Sequence, residues 1–310
     1  MRDFRIPIFL LIVALFLLQM YVMKQDKNVA TLKPMVAVST FSLYDIAKHI
    51  SGDTLHIVNI IPFGTDPHSY EPTPKSMTDI SLSKLVLYSG AGLEPWADGF
   101  AFENRVIDMS KNVKLRELRG HTHKDHRSYA FHEQKTIDPH YWLDFANMAI
   151  AANLITKEFI EISPSNEPLY IKNRDSYLKM LEKLDLDYKN QLATCKLNTL
   201  IVNHNAIGYL SQRYGFHVES LSGFSPEAEP SAKNMAKLIT HVKEYGVSKV
   251  FFEAFVSDRT MKSIASEAKV SVDVLQPLGN ITADEAQKNL TYEDIMYLNL
   301  EKISKALECQ

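Results

Sequence analysis

The sequence predicts an α/β protein of two lobes, each a mainly parallel sheet flanked by helices. From Pro34 onward, short runs rich in β-branched and aromatic residues alternate with stretches of helical periodicity, the pattern typical of α/β folds. One long helical stretch interrupts this alternation, which then starts afresh, so we expect the same architecture twice. With 310 residues, of which 45% are hydrophobic, the chain is long enough to bury a core in each lobe.

The first lobe is expected to alternate strands and helices, with a proline-rich loop after its second strand and a histidine-rich loop after its fourth. The predicted strands are Met35–Thr40, Leu55–Ile60, Leu85–Ser89 and Val106–Asp108. The predicted helices are Ser42–Ile50 with Ser42 as its N-cap, Lys75–Ser83, and a helix that Asp144 caps and that continues through Phe159.

A long amphipathic helix is predicted from Asn166 to about Leu192. Its apolar residues recur at spacings of three and four, which places them on one face: Tyr170, Tyr177, Leu181, Leu184, Tyr188 and Leu192. Such a helix would be roughly 40 Å long, enough to cross a whole domain. Because strand–helix alternation resumes after it, we interpret this helix as the connection between the lobes.

The second lobe is expected to repeat the alternation of the first. Its predicted strands are Thr199–Asn203, His217–Leu221, Lys249–Glu253 and Val272–Leu275. Its predicted helices are Ala206–Tyr214, Ser231–Tyr245, Arg259–Lys269 and Thr291–Leu307.

The N-terminus indicates export. Arg2 and Arg5 precede an apolar run from Ile6 to Met23, the pattern of a signal segment or signal anchor. No cysteine near this run could be acylated, so we predict a periplasmic protein or one anchored on the outer face of the cytoplasmic membrane. The predicted organisation is a signal segment or anchor at 1–30, a first lobe at 31–163 with the histidine-rich loop at 119–136, a linker helix at 164–193, and a second lobe at 194–310.

Composition excludes some kinds of partner and site. A net charge of −3 with interspersed signs argues against nucleic-acid binding and against a polybasic membrane-binding surface. Cys195 and Cys309 are the two cysteines, and without a CxxC motif a thiolate zinc site is not expected. In an exported chain these two thiols could form a disulfide, but the sequence does not determine whether they meet.

Three histidines lie at positions where α/β folds commonly bind ligands. His68 follows the second predicted strand, His204 directly follows the strand Thr199–Asn203, and His140 precedes a helix of the first lobe. Ligands bind outside the carboxyl ends of parallel strands. Imidazole nitrogens suit zinc, whereas manganese prefers carboxylate oxygens. The sequence therefore predicts one zinc ion held between the lobes by His68, His140 and His204.

Several motifs together resemble the zinc and manganese substrate-binding proteins of ABC importers. They are DPHSYEPTP around His68, DPHYWLD around His140, VNHNAIGYLSQRYGF around His204, FFEAF at 251–255 and QPLG at 276–279. This resemblance covers about Pro34 to the C-terminus. It implies two α/β lobes joined by one rigid helix, and metal delivery to a membrane permease that works with a separate ATPase. It also implies a monomer with the three histidines as ligands.

The chain departs from that family pattern at the fourth ligand. An aspartate often precedes the Pro-Leu-Gly motif in the family, and here Gln276 stands in its place. The fourth position is therefore open to water, Gln276, Asp66, Glu253 or a loop histidine, and an aspartate at 276 is expected to tighten metal binding. Glu253 is equally a candidate for orienting an imidazole. In zinc-type relatives the loop histidines are thought to collect metal weakly, a role that would fall here to His121, His123, His126 and His132.

The leading hypothesis is a non-enzymatic protein that captures zinc outside the cytoplasm, with Zn²⁺ as its transported ligand. An exported zinc hydrolase competes with it, since three histidines and an open position would permit water activation. However, no HExxH motif supplies a general base. A manganese-binding member of the same family and a metal-storage protein without a permease also stay open. The chain has no GxxxxGK[ST] motif, so the transport ATPase must be another chain.

Overall fold

The computed structural model describes Gln19 and residues 33–118, 136–222, 232–254 and 259–310. Apart from Gln19, the predicted signal segment lies outside the described residues, as do the loop histidines 121, 123, 126 and 132. Pro34–Gln310 forms one compact unit. Among the described residues, no helix combines the length and apolar character needed to cross a bilayer.

The first lobe is built on a four-stranded parallel sheet with the strand order β2-β1-β3-β4. Its strands are β1 Met35–Val38, β2 His56–Asn59, β3 Leu85–Tyr88 and β4 Arg105–Asp108, and its helices are α1 Phe41–Ser51, α2 Pro74–Leu82 and α3 Phe145–Ile162. The central strands β1 and β3 are runs of buried apolar residues, because helices cover both faces of a parallel sheet.

The start of helix α1 corrects the predicted cap. The helix begins at Phe41 with Thr40 as its N-cap, and Ser42 lies buried inside its first turn. Thr40 and Ser42 are similar capping residues, so local preference does not choose between them. The choice is tertiary, because the Phe41 amide donates to the carbonyl of Gly279 in the second lobe at 3.0 Å.

Three short elements were missed by the sequence prediction. Strands β5 Arg116–Leu118 and β6 Thr136–Asp138 pair antiparallel and flank the histidine-rich loop, and the helix α8 Ala283–Gln287 begins with a capping box formed by Thr282 and Glu285. Strands of three residues show no period that sequence patterns could detect. The capping box, in contrast, was visible as a threonine followed three residues later by a glutamate.

The predicted linker helix is confirmed. Helix α4 runs over Glu167–Gln191, 25 residues or about 38 Å, after a single 3₁₀ turn at Pro164–Asn166. Its buried residues are those of the predicted apolar face: Tyr170, Tyr177, Leu181, Leu184 and Tyr188. The periodicity predicted this helix correctly because one face packs along its whole length against the same core.

The second lobe repeats the first. Its parallel sheet has the order β10-β9-β7-β8, with strands β7 Thr199–His204, β8 His217–Ser222, β9 Lys249–Phe252 and β10 Ser271–Val274. Its helices are α5 Gly208–Tyr214, α6 Ala232–Glu244, α7 Arg259–Ala268, α8 and α9 Tyr292–Ala306. When strands are counted from the first of each lobe, both sheets have the order 2-1-3-4.

A strap after strand β10 joins the lobes in addition to the linker helix. Trp142 Nε1 of the first lobe donates to the Pro277 carbonyl at 2.6 Å. Asn280 Nδ2 donates to the first-lobe carbonyls of Pro62 at 2.7 Å and Thr65 at 2.8 Å. The disulfide left open by the sequence is present and ties Cys195 to Cys309, at the two ends of the second lobe.

Candidate metal centre

Two loops and the end of a strand bring one histidine each into the cleft between the lobes. His68 lies in the loop after β2, His140 lies two residues after the end of β6, and His204 is the last residue of β7. His140 and His204 are each only 2% exposed, and His68 is half-buried. The three predicted residues therefore meet at one point, two from the first lobe and one from the second.

The distances among these rings fit a shared ion. Each histidine offers one ring nitrogen, and these nitrogens all lie within 4.8 Å of one another. The Nε2 atoms of His140 and His204 are 3.3 Å apart. Tetrahedral zinc with bonds of about 2.0–2.1 Å separates its ligand nitrogens by about 3.3 Å. This pair thus already stands at the spacing that zinc requires.

The repeated Asp-Pro-His tripeptide makes the same local turn twice. Asp66 Oδ1 accepts the backbone N–H of His68 at 2.9 Å, and Asp138 Oδ1 accepts that of His140 at 3.1 Å. An aspartate that bonds the amide two residues on forms an Asx turn, and the proline between them restricts the backbone further. The motif therefore fixes the backbone conformation at each histidine before any ion binds.

Asp138 also contacts the imidazole of His140 and the guanidinium of Arg116. Its Oδ1 also contacts His140 Nδ1 at 2.9 Å, while its Oδ2 accepts from Arg116 Nη1 at 2.7 Å. Asp138 is fully buried, and the guanidinium balances its charge. Because Nδ1 faces a carboxylate, the proton of neutral His140 belongs on Nδ1 and the lone pair on Nε2, which faces His204.

His204 has an equivalent carboxylate partner in Glu253. His204 Nδ1 and Glu253 Oε1 are in direct contact. His204 ends β7 and Glu253 follows β9, the neighbouring strand at which the sheet order changes direction. Ligands of open α/β sheets bind at such switch points. In the first lobe the corresponding crevice is filled by Glu94, which accepts from Ser39 Oγ, Ser89 N and Gly90 N.

The environment of His68 keeps its imidazole neutral. Burial, and to a smaller extent the neighbouring rings of His140 and His204, lower the pKa of His68 to about 2. A neutral imidazole has a free lone pair for a metal, so at neutral pH this residue binds without first losing a proton.

With this geometry established, comparison with known proteins assigns the family. Residues 36–306 match the family model described as "ZnuA: Zinc-uptake complex component A periplasmic". The chain belongs to this family.

Curated relatives agree with this assignment. The high-affinity zinc uptake system protein ZnuA of Bacillus subtilis (strain 168) is 30% identical over 280 residues, which are 88% of this chain and 87% of that protein. The zinc-binding lipoprotein AdcA of Streptococcus pneumoniae (strain ATCC BAA-255 / R6) is 26% identical over 88% of this chain, but the match spans only 56% of AdcA.

A solved structure shows the same fold. The Zn(II)-bound ZnuA-like domain of Streptococcus pneumoniae AdcA superimposes with a TM-score of 0.73 at 26% identity, covering 89% of this chain and 99% of that chain. The two parallel-sheet lobes and the connecting helix of this ZnuA-family chain are therefore the architecture of its relatives.

Family membership establishes the role of the chain and the side of the membrane on which it acts. As a ZnuA-family protein the chain is a zinc-binding component of an ABC zinc-uptake complex, and it acts outside the cytoplasmic membrane. Solute-binding proteins of this family are not enzymes, so the hydrolase alternative is not supported.

The structure also places the remaining candidate residues. Asp66 and Glu253 line the cavity around the three histidines, and Gln276 is not among the described residues that line it. Gln276 Nε2 instead donates to Glu285 Oε2 at 2.7 Å, within the capping box of α8. Sequence reasoning missed Asp138 as the partner of His140 and Arg116 as the partner of Asp138. The repeated tripeptide could have pointed to Asp138, but no local signal pointed to Arg116.

Proposed function

We propose that this ZnuA-family protein binds one zinc ion through Nε2 of His140, Nε2 of His204 and a ring nitrogen of His68. It then delivers the ion to the membrane permease of an ABC importer, whose ATPase is a separate chain. The observation that supports this most directly is the His140–His204 nitrogen separation of 3.3 Å, combined with their burial. Two unprotonated lone pairs held this close repel each other, and a shared cation removes the repulsion.

The two carboxylates behind the rings are proposed to act through the histidines. Asp138 holds the proton of His140 on Nδ1, and Glu253 does the same for His204. Such carboxylate–histidine–zinc arrangements fix the ring orientation and raise the basicity of the ligand. We therefore assign Glu253 to orientation of His204, and leave the fourth position to water or another small donor rather than to Gln276. Three protein ligands and one exchangeable ligand also suit an ion that must be released again.

The organisation we propose keeps the boundaries expected from the sequence. Residues 31–163 form the first lobe, 164–193 the linker and 194–310 the second lobe, with a signal segment or anchor at 1–30. The histidines of the 119–136 loop are proposed to collect zinc weakly. The protein is proposed to act as a monomer, with the permease as its macromolecular partner and no role in nucleic-acid binding.

Metal competition tests the proposal. The apo protein is titrated with Zn²⁺ in the presence of a chromogenic chelator, and then with Mn²⁺ under the same conditions. We expect one tight zinc site per chain and much weaker manganese binding, because three imidazole nitrogens favour zinc. Comparable affinities for both ions would support the manganese alternative. Tight zinc binding without zinc-dependent docking to permease-containing membranes would support a storage role instead.

A further inference from the structure

A tyrosine of the second lobe joins the two strands that lead to His140. Tyr209 lies on α5 and is buried. Its hydroxyl accepts the backbone N–H of Arg116 at 2.8 Å and donates to the backbone carbonyl of Asp138 at 3.0 Å. Arg116 and Asp138 are register partners in the β5–β6 hairpin of the first lobe. A single hydroxyl from one lobe thus bridges both strands of a hairpin in the other.

The side chains of Arg116 and Asp138 pack against Gly208, the residue before Tyr209. A Cβ atom on Gly208 would lie 1.7 Å from Arg116 Nη1 and 2.9 Å from Asp138 Oδ2. Any side chain at 208 would therefore displace the guanidinium from the carboxylate. Gly208 leaves room for the side chains of the Arg116–Asp138 ion pair. Tyr209 forms hydrogen bonds with the backbone of the same two residues.

These contacts link the zinc ligands of the two lobes. Asp138 orients the first-lobe ligand His140 through its 2.9 Å contact with Nδ1. Tyr209 lies in the first turn of α5, which follows the second-lobe ligand His204 after a short connection from β7. A movement that separates His140 from His204 also pulls Tyr209 away from the hairpin, because each of the two histidines moves with its own lobe.

We propose that Tyr209, Gly208 and Arg116 form a latch that holds Asp138, and through it His140, against the second lobe and so sets the rate of zinc release. These three are positioning residues, since none of them touches the ion. The inference rests on the proposed function, because it assumes zinc on the three histidines. The strap contacts of Trp142 and Asn280 also join the lobes, but they bond to Pro277, Pro62 and Thr65 and not to Asp138.

The test measures zinc dissociation from Tyr209→Phe and Gly208→Ala in the full-length protein, by mixing the zinc-loaded protein with excess chelator. Tyr188→Phe is the matched control: Tyr188 is also buried and donates its hydroxyl to a backbone carbonyl, that of Met296 at 2.6 Å, which lies on α9 and not in the hairpin. Melting temperatures of the apo proteins are measured in parallel, so that lost stability and faster release can be separated.

We expect dissociation to be faster by roughly 5- to 25-fold in Tyr209→Phe, because the variant loses two buried hydrogen bonds and each typically contributes about fivefold. The Gly208→Ala variant should also release zinc faster, and Tyr188→Phe should lower the melting temperature without changing the rate. In an Asp138→Asn background the effect of Tyr209→Phe should shrink, because both changes act on one network.

Unchanged dissociation in Tyr209→Phe and Gly208→Ala, with wild-type protein that binds zinc tightly, would overturn the latch and leave the proposed function intact. The same holds if Tyr188→Phe accelerated release as much as Tyr209→Phe, because the effect would then follow stability alone. A wild-type protein that held no zinc would instead refute the proposed function, and the latch with it.

Discussion

The Nε2 atoms of His140 and His204 lie 3.3 Å apart, although 64 positions separate the two residues in the chain. They belong to different lobes, so neither lobe alone can hold an ion in this way. Each ring is backed by a carboxylate on its other nitrogen, Asp138 for one and Glu253 for the other. The site is therefore organised before zinc arrives, which lowers the cost of ordering the ligands on binding.

Removing any ligand should abolish tight zinc binding. For His68→Ala, His140→Ala and His204→Ala we expect zinc affinity to fall more than about 100-fold, beyond the 10–100-fold that loss of an orienting partner costs. Chelator competition measures this. His217→Ala, at an exposed histidine of β8, is the control and should bind as the wild type does. Unchanged affinity in two of the three ligand variants would end the assignment.

Substitutions at Glu253 and Gln276 should affect zinc affinity differently. Glu253→Gln should weaken zinc binding about tenfold, because the contact of a carboxylate with His204 Nδ1 is lost. Sequence alone suggests that an aspartate at 276 tightens binding. The structure changes that expectation, because the Gln276 amide bonds to Glu285.

Gln276→Asp should therefore leave zinc affinity within about twofold and lower the melting temperature, since it places one carboxylate beside another. Competition binding and thermal unfolding of both variants give the two readouts. Tighter zinc binding by Gln276→Asp would show that position 276 reaches the ion.

The histidine-rich loop should be dispensable for the tight site. Leu118 and Thr136 are register partners at the last pair of the β5–β6 hairpin, so a two-residue Asn-Gly turn can replace residues 119–135 without moving the strands. We expect this variant to keep one tight zinc site and to lose weaker additional binding, as measured by calorimetry. Loss of the tight site would identify a loop histidine as the fourth ligand.

Zinc affinity should decrease with decreasing pH, because a ring nitrogen must be unprotonated to bind. The pKa of His68 is lowered to about 2 by burial and by the two neighbouring rings, so this residue stays neutral between pH 7 and pH 5. The logarithm of the dissociation constant should therefore change by at most two units per pH unit over this range. Chelator competition at pH 7, 6 and 5 measures that slope, and a slope of three would show that His68 takes up a proton as well.

Glu94 should make the fold less stable at neutral and higher pH than at pH 5. Burial raises the pKa of Glu94 from 4.5 to about 7, against the opposing effect of its hydrogen bonds from Ser39, Ser89 and Gly90. Between these values the folded state keeps a proton that the unfolded state has lost, so stability is full below pH 4.5 and decreases as the pH rises to 7. Over pH 5–8 this amounts to about 2–3 kcal/mol.

Glu94→Gln removes the titration, so its loss of unfolding free energy from pH 5 to pH 8 should be smaller than that of the wild type by this amount. Chemical denaturation at both pH values provides the measurement. Glu267→Gln, at an exposed glutamate, should keep the slope of the wild type. An equal slope for Glu94→Gln would mean that the carboxyl ionises normally in the fold.

The sequence by itself determined the lobes, the linker helix and the three histidines. Parallel strands covered on both faces read as continuous apolar runs, and a helix packed on one side along its length shows a spacing of three and four, as Tyr170, Tyr177 and Leu181 do. His68 and His204 could be predicted because His68 lies in the loop after a strand and His204 lies at the end of one. These are local signals, since each depends on residues that are neighbours in the chain.

Only the tertiary structure decided which residues meet across the cleft. It paired Arg116 with Asp138, set Glu253 against His204, turned Gln276 toward Glu285 and joined Cys195 to Cys309. It also moved the first cap from Ser42 to Thr40, through a hydrogen bond from Phe41 to Gly279. Periodicity records which face of an element is buried but not what packs against it. The partner is chosen by the geometry of two sheets and their connections, which no local stretch of sequence contains.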